Sequence, residues 1–510
     1  MDGQQSATGV KDGVSLGSLA DLPGVSGCHG ARDVRVSGVE SDSRAVAPGM
    51  LFVALPGARD GRDFVAEALA RGAVAVACAS PLPSIAAGMP WLELSAPRRA
   101  IGPIAEAVYG SPSHALRLFG VTGTNGKTTT VWAYAALARA LGDACATWST
   151  IDHHVPGEAP QASSFTTPEA PAMSRFAAKA VAAGAQHLAM EVSSHGLAQH
   201  RVDGLRFAVA GFTGLGRDHL DYHETVEGYF AAKARLFSEL APAARVVCVD
   251  TEHGQLLAEA HPDALTVSTD PASPAALTFY RMPGSGRATL SALGNTLVVE
   301  GAPLGRYNLA NWGVAIGAHL SLGTPWSELA SAVVSACAGT QGPSLPPGRL
   351  QRVSDDSAAP NVERPAVFVD YAHTPDALAA ALAAVRESTR GRVWALFGCG
   401  GDRDRGKRPQ MGAIAAELAD VVVLTSDNPR SEDPDAILSE IQAGIPGAPV
   451  APGRLHREVD RAAAIAWAIE HAHPQDAILI AGKGHETSQI IGQTRLPFSD
   501  YDVALAALRR

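Results

Sequence analysis

The chain has 510 residues, more than one hydrophobic core ordinarily serves, so several domains are expected, and the spacing of its breaks points to three. With 46% hydrophobic and 18% charged residues and a formal net charge of -10, it has the composition of an ordinary globular protein, and its acidity excludes nucleic-acid binding by bulk charge. The six cysteines lack C-x-x-C spacing, no run of about 18 apolar residues offers a membrane insertion, and no charged leader precedes an apolar stretch, so a cytoplasmic protein with buried thiols is expected rather than a disulfide or zinc scaffold.

In chain order, residues 1–33 carry little periodicity and read as a loosely ordered extension. From 34 to 113 short β/α alternation, as in Leu51-Phe52-Val53-Ala54-Leu55 and Ala73-Val74-Ala75-Val76-Ala77, predicts a small α/β domain. The polar group Ser41-Asp42-Ser43-Arg44 precedes its first clear strand. Turn chemistry alone accounts for such a group, an Asp side chain bonding its own backbone. The break at Tyr109-Gly110-Ser111-Pro112-Ser113 opens a second domain, 114–345.

That domain begins with an apolar strand ending at Val121, a turn Gly123-Thr124-Asn125-Gly126-Lys127-Thr128-Thr129, and an Ala/Leu-rich helix from Thr130 to Leu141. Phosphate fits there: glycines admit an anion to the backbone N–H groups, the helix N-terminus adds partial positive charge, Lys127 adds a full one, and the Thr128 hydroxyl can ligate Mg²⁺. The usual longer spacing would need glycine where Val121 stands, so this is a shorter variant of the P-loop. A second strand, His187 to Val192, ends in Glu191 before Ser193-Ser194-His195-Gly196, and a carboxylate at a strand end beside a P-loop strand is where NTPases hold Mg²⁺. A third strand runs into Arg217-Asp218-His219-Leu220-Asp221-Tyr222-His223, dense enough in ionisable groups for a metal or phosphate site, although such loops are also commonly just solvated. Lys233 lies in an otherwise apolar helical stretch. A lysine there ordinarily snorkels to solvent; kept neutral by burial, it could instead take up CO₂ as a carbamate and become an anionic ligand.

After Gly305-Arg306-Tyr307-Asn308 comes a helix, then the linker Gly342-Pro343-Ser344-Leu345-Pro346-Pro347-Gly348, with Arg349 directly behind it. The third domain, 346–510, repeats strand, loop and helix, its loops being Asp370-Tyr371-Ala372-His373, Gly398-Cys399-Gly400-Gly401-Asp402-Arg403, Ser426-Asp427-Asn428-Pro429-Arg430 and Gly482-Lys483-Gly484-His485-Glu486. In a doubly wound parallel sheet these loops gather at the carboxyl ends of the strands, where ligands bind. Gly398 to Gly401 lacks the spacing of a dinucleotide fingerprint. The expected class is thus α/β: a small α/β domain, a central P-loop domain with a mostly parallel sheet, and a C-terminal Rossmann-like doubly wound domain.

Taken together, the Gly123–Thr129 turn, Glu191-Val192-Ser193-Ser194-His195, Arg217–His223, Asp370–Pro375 and Asp427-Asn428-Pro429-Arg430 resemble the Mur ligases of peptidoglycan synthesis, in order from Asp42 to the C-terminus, and among them the members that add meso-2,6-diaminopimelate. The resemblance implies a UDP-binding N-terminal domain, a central ATPase and a C-terminal domain that brings the amino acid. ATP, as co-substrate, would phosphorylate the γ-carboxylate of UDP-N-acetylmuramoyl-L-alanyl-D-glutamate to an acyl phosphate, which an amine then attacks. By the same resemblance Thr128 and Glu191 hold one Mg²⁺, and His219 with carbamylated Lys233, formed from CO₂, a second. On the same resemblance Lys127, Lys233 and His219 would carry the catalysis. Gly123, Thr124, Asn125, Gly126, Lys127, Thr128, Thr129, Asn308, Arg349 and Asp370 surround ATP, the last two reaching over from beyond the linker, so that the site is complete only on domain closure. Ser43, Thr166, Thr167, Ser193, Gln199 and Arg201 match contacts to the muramyl-dipeptide.

Arg403, Asp427, Asn428, Pro429, Arg430, Gly482 and Glu486 match the diaminopimelate site, where the Arg430 guanidinium would pair with the carboxylate that lysine lacks. Gly214, Gly216 and Phe165 depart from the family pattern, and the loop around Ala58 and Arg59 matches it poorly. A monomer without nucleic-acid or membrane partners is expected. Three readings stand: this ligase, a ligase of the same class with lysine or another acceptor amino acid as in folylpolyglutamate-type enzymes, and a non-catalytic nucleotide switch.

Overall fold

A computed structural model describes residues 13–509 apart from 58, 217, 283–285, 339–344, 355–362 and 447–452. The chain divides into two compact units, one of Met1–Val267, Pro274–Leu277 and Gly313–Val333, the other of Ser268–Ser273, Thr278–Trp312 and Val334–Arg510. Gly342, Pro343 and Ser344 of the expected linker lie outside the described residues, as do Arg217 and Ala58.

The first unit opens with a five-stranded sheet in the order Val25–His29, Trp91–Leu94, Ala75–Cys78, Met50–Val53, Gly38–Glu40. Its pairs are parallel except the first, where Val25–His29 runs antiparallel to Trp91–Leu94. Regular structure therefore starts earlier than the sequence pattern indicates. Val25–His29 is a sheet edge, and Leu16 and Leu19, fully buried, share a core with Leu51, Ile101 and Ile104. These early elements are too short, a two-residue strand at Val14–Ser15 and a single 3₁₀ turn, to leave a period in the sequence.

Next, in the same unit, come strands in the order Gln161–Ala162, Asp152–His154, Cys145–Trp148, His187–Glu191, Arg117–Thr122, Val209–Phe212, Ala244–Cys248, Leu265–Ser268. All pairs from Cys145–Trp148 onward are parallel, while the Asp152–His154 hairpin adds an antiparallel edge. The mostly parallel sheet expected around the P-loop is present. Register aligns Glu191 with Val121 and Phe212 with Thr122, so the loops that follow all three strands open on one edge. Beneath them Leu118, Met190, Phe212, Leu236 and Phe237 form a fully buried core.

The small sheet is fastened to this domain backbone to backbone. A Cβ at Gly102, on the helix Pro97–Val108, would collide with the Asp203 carbonyl oxygen, and one at Gly204 would collide with the Gly102–Pro103 peptide. Alongside, buried Glu106 accepts from Ser113 Oγ at 2.5 Å and from Ser174 Oγ at 2.8 Å, and Arg175 pairs with Glu40.

In the second unit the strands run Gln351–Val353, Ala366–Asp370, Ala477–Ala481, Val393–Phe397, Val421–Leu424, Leu455–Arg457, parallel but for the first pair. Each face has its own core: Leu382, Met411, Leu438 and Leu479 on one, Trp394, Ile465, Ile478 and Ala504 on the other. Helices start where capping chemistry permits. The Thr374 hydroxyl accepts from Ala377 N before Pro375–Ser388, and the Asp433 carboxylate accepts from Asp435 N before Pro434–Gln442, each with proline in the first turn. This is the Rossmann-like doubly wound arrangement. By packing, residues 278–312 group with it: Leu304 and Tyr307 lie against its core and Arg281 pairs with Glu387 at 3.4 Å.

Candidate active site

The strand Arg117–Thr122 ends in Gly123, and Gly126 caps the helix Lys127–Ala140. Both glycines have positive φ, +152° and +90°, and a Cβ on Gly123 would strike the Thr213 hydroxyl. Lys127 Nζ folds back onto the carbonyls of Gly123 (3.0 Å) and Thr124 (2.9 Å), which places its charge over the loop. Thr213 holds the turn from outside, donating to Asn125 O at 2.6 Å, and Thr124 exchanges hydrogen bonds with Gly216. Thr129, next to Thr128, is buried in the first turn of the helix. The result is a helix N-terminus, whose first N–H groups have no partner within the helix, flanked by an ammonium: an anion cradle.

Glu191, 1% exposed, accepts from Thr128 Oγ1 at 2.7 Å, from Thr150 N at 2.7 Å and from Thr150 Oγ1 at 3.1 Å. Thr150 Oγ1 lies 2.9 Å from Thr166 Oγ1, while Thr167 Oγ1 donates to Glu191 O (3.0 Å) and accepts from Ser193 N (2.9 Å). The Ser193 hydroxyl caps the helix Ser194–Ala198, and Arg201 binds Gln199 Oε1 (2.7 Å), Thr167 O (2.9 Å) and Glu169 (3.1 Å). The residues expected at the acceptor, Thr166, Thr167, Ser193, Gln199 and Arg201, thus form one hydrogen-bonded network with Glu191. Thr150 and Glu169 belong to it as well, although no motif marks them; Thr150 is found by its place just after the strand Cys145–Trp148, beside Glu191. Phe165, 59% exposed, stands at the mouth with the Arg201 guanidinium 5.7 Å from its ring.

Lys233 does not snorkel. It is 1% exposed, donates to Gly123 O at 2.8 Å and lies 4.4 Å from the centre of the Tyr229 ring. Burial first, and Lys127 second, hold its ammonium well below the usual lysine range. His219 has a left-handed backbone and a half-exposed ring 4.9 Å from that of His195. As a site for Mg²⁺, Thr128 and Glu191 fit: they are adjacent hard oxygen donors, one anionic, at a phosphate cradle. His219 and an unmodified Lys233 are nitrogen groups and fit only if the lysine carries an anionic oxygen. Among the described residues no cluster of three or more His, Cys, Asp or Glu is arranged to hold a metal, so much of any ion's coordination would come from phosphate oxygens and water.

In the small domain Ser43 Oγ donates to Glu67 at 2.7 Å, whereas Asp42 serves the turn, capping Arg44 N at 3.0 Å and pairing with the Arg44 guanidinium. The same domain has a cavity of about 350 Å³, lined by Pro56, Gly57, Asp60, Arg62, Ser80 and Pro97 among others and not by Ser43.

In the second unit Asn308 is fully buried, its Nδ2 bound to Leu304 O at 2.9 Å. Asp370 accepts from Leu350 N (2.6 Å) and Ala372 N (2.8 Å); burial pushes its carboxyl up to about 6 against the pull of Arg349, whose guanidinium covers the Tyr371 ring at 4.5 Å. The loops after the next strands converge. Asn428 Nδ2 donates to Glu486 at 2.9 Å, and its Oδ1 accepts from Lys483 Nζ (3.0 Å) and Ile490 N (3.0 Å). Lys483, fully buried, also pairs with Glu486 at 2.8 Å. Glu486 is therefore no bare carboxylate awaiting an ammonium, and Lys483 is a further member of the cluster that no sequence motif marks.

Asp427 is buried beside Gly482, with φ of +116°, above the fully buried Arg461–Asp500 pair at 2.7 Å. Arg430 has a left-handed backbone, is clamped to Ile490 and Gly492 through its main chain, and donates Nη1 to Gly401 O at 2.6 Å. The Pro429 carbonyl receives Glu432 N, and Arg403 is exposed on the neighbouring loop. A non-glycine residue held in this conformation is the kind of strain that collects at binding sites.

Three family models match the chain: the Mur ligase family, catalytic domain, over 35–109; the Mur ligase middle domain over 121–319; and the Mur ligase, glutamate ligase domain, over 348–484. The chain belongs to the Mur ligase family. It is 45% identical to the UDP-N-acetylmuramoyl-L-alanyl-D-glutamate--2,6-diaminopimelate ligase of Parasynechococcus marenigrum, over 98% of this chain and 99% of that one, and 42% identical to the enzyme of the same name from Pseudomonas aeruginosa, over 94% and 96%. A solved structure of a UDP-N-acetylmuramoyl-L-alanyl-D-glutamate--2,6-diaminopimelate ligase is similar with a TM-score of 0.70 at 32% identity, covering 98% of this chain and 99% of that one. The family and the α/β, three-domain Mur ligase architecture expected from the motifs are borne out.

Proposed function

We propose that this Mur ligase joins meso-2,6-diaminopimelate to UDP-N-acetylmuramoyl-L-alanyl-D-glutamate at the expense of ATP. Arg430 carries the choice of amino acid: a strained, clamped arginine stands two residues after Asn428, whose side chain joins Lys483 and Glu486, in the loops of a doubly wound sheet, where its guanidinium can pair with the second carboxylate of a dicarboxylic diamino acid. The relatives that match nearly the whole chain carry this activity in their names.

The reaction transfers the γ-phosphoryl group of ATP to the D-glutamyl γ-carboxylate, breaking the bond to ADP and forming an acyl phosphate. The amine of the amino acid attacks the acyl carbon, loses a proton to solvent, and phosphate leaves as the amide forms. Such transfer depends on positioning and charge neutralisation more than on a protein nucleophile. Lys127 and the N–H groups of Gly123 to Thr128 hold the phosphates, and Thr166, Thr167, Ser193, Gln199 and Arg201 hold the acceptor. Mg²⁺, when bound to Thr128 and Glu191, supplies further neutralisation of phosphate charge.

Lys233, disposed by burial to lose its proton, adds its nitrogen lone pair to the carbon of CO₂ and releases a second N–H proton to solvent, giving a carbamate that with His219 would hold a second Mg²⁺. Asn308, Arg349 and Asp370 are the nucleotide contacts of the second unit, and Ser43 serves the uridine diphosphate. We read the enzyme as a cytoplasmic monomer. All its cysteines are free thiols, as a reducing compartment keeps them, and no helix among the described residues is long and apolar enough to cross a membrane.

The test is phosphate release from purified protein. It should require ATP, UDP-N-acetylmuramoyl-L-alanyl-D-glutamate and meso-diaminopimelate together; equal turnover with L-lysine would remove the selectivity, and tight ATP binding without turnover would reduce the chain to a nucleotide switch.

A further inference from the structure

We propose that the Arg408–Glu432 ion pair is a positioning device for amino-acid selection, holding in one register the two loops that carry Arg403 and Arg430. It rests on the reading of those loops as the amino-acid site. Arg408, on the helix Lys407–Leu418, has a side chain of 0% exposure and binds both oxygens of Glu432, at 2.8 and 2.9 Å, as well as Glu440 at 2.7 Å and Gly400 O at 3.2 Å. Glu432 follows Arg430 by two residues, and Gly400 precedes Arg403 by three. One buried guanidinium therefore grips both loops from behind.

Glu432 passes the constraint forward. It accepts Asp402 N at 2.6 Å, and the Asp402 carboxylate in turn accepts Ser431 N (3.2 Å) and Ser431 Oγ (2.6 Å). Gly401 N donates to Asn428 O at 2.9 Å, and a Cβ on Gly401 would collide with the Pro429 carbonyl, so the main chains lie directly against each other. The Arg430 guanidinium leans on Gly401 O, across the same seam. Both Asp402 and Arg430 have left-handed backbones, φ +54° and +52°, which persist only where surroundings over-determine them.

Stability is a poor account of this pair, because well-packed apolar side chains commonly replace a buried ion pair without loss. Register is a better one. A slip between the loops would carry Arg430 and Arg403 off the position of the incoming carboxylate, and misplacement by an ångström weakens a bidentate contact severely.

The experiment varies each substrate in turn for full-length wild type, Glu432→Gln, Arg408→Lys and Asp402→Asn. The Arg408 and Glu432 variants should raise the KM for meso-diaminopimelate about 10- to 100-fold. Their KM for ATP and for the UDP-muramyl-dipeptide should stay within about twofold. The ratio of diaminopimelate to lysine turnover should fall in parallel, and Glu432→Asp, which keeps the charge, should recover part of both. Asp402→Asn, at an exposed position that leaves the core intact, should shift the same KM in the same direction by less, and it decides the matter if a core variant fails to fold. An unchanged amino-acid KM in folded variants, or a rise shared by all three substrates, would overturn the proposal. If wild type prefers another amino acid, the diaminopimelate reading fails on its own, and the positioning claim is read from the KM of that amino acid.

Discussion

Thr128 Oγ1 donates a 2.7 Å hydrogen bond to the Glu191 carboxylate, joining the first turn of the P-loop helix to the end of the neighbouring parallel strand. The contact brings together two buried oxygen donors that stand 63 residues apart in the chain. Glu191→Gln keeps the shape and removes the charge. Turnover should fall about 100- to 1000-fold, the size of losing one preorganised electrostatic contact to a transition state. A steady-state assay over a range of Mg²⁺ concentrations checks this, and Thr128→Ala should raise the Mg²⁺ requirement in the same assay.

Lys233 supplies the second prediction. Its amine is buried against Gly123 O and the Tyr229 ring with no carboxylate hydrogen-bonded to it in the described structure. Lys233→Ala should abolish ligation, and acetate or formate should restore part of it by returning an anionic oxygen to the space vacated. Intact-protein mass spectrometry under CO₂ should find the added mass on wild type only. Activity near wild type in the variant would remove the carbamate from the mechanism.

For Arg430 the expectation concerns preference. Hydrogen bonds to charged groups contribute about 1.5–3 kcal/mol. Arg430→Ala should therefore cut kcat/KM for diaminopimelate about 10- to 100-fold. Lysine should be affected little. Competition between the two amino acids, read by chromatography of the tripeptide products, measures the ratio directly.

Acid should loosen the first unit through His319. This ring is buried against Tyr134, 4.2 Å between centroids, with His187, Asp143 and Arg117 nearby, and burial holds it neutral down to about 4. The unfolded chain binds a proton there below its ordinary value of 6.5 while the folded chain does not. Stability is then complete above 6.5 and declines as pH falls toward 4, by at most about 1.4 kcal/mol per pH unit for one proton. Thermal unfolding across that range should show the slope, and His319→Gln should flatten it by about one proton.

How far the sequence was legible depended on whether chemistry sat in one stretch. Gly123 to Thr129 could be read directly because its glycines, lysine and threonine serve a single turn, and Glu191 because a carboxylate at a strand end has few packing reasons to be there. Thr150, Glu67 and Lys483 could not, since each acquires its role from a partner tens of residues away: Thr150 from Glu191, Glu67 from Ser43, Lys483 from Asn428. The segment around Leu16 and Leu19 was missed for a different reason. Its elements are shorter than any hydrophobic period, and only the core they complete makes them visible.

The crossing of Gly102 over Gly204 bears on how the enzyme can be taken apart. Where two main chains touch with no side chain between them, neither surface is finished without the other, and the Glu106 carboxylate loses its Ser174 donor if they separate. A fragment beginning near residue 114 would bare that seam to water, so the helix Pro97–Val108 and the small sheet it covers are a structural part of the phosphate-binding body and not a removable recognition tag.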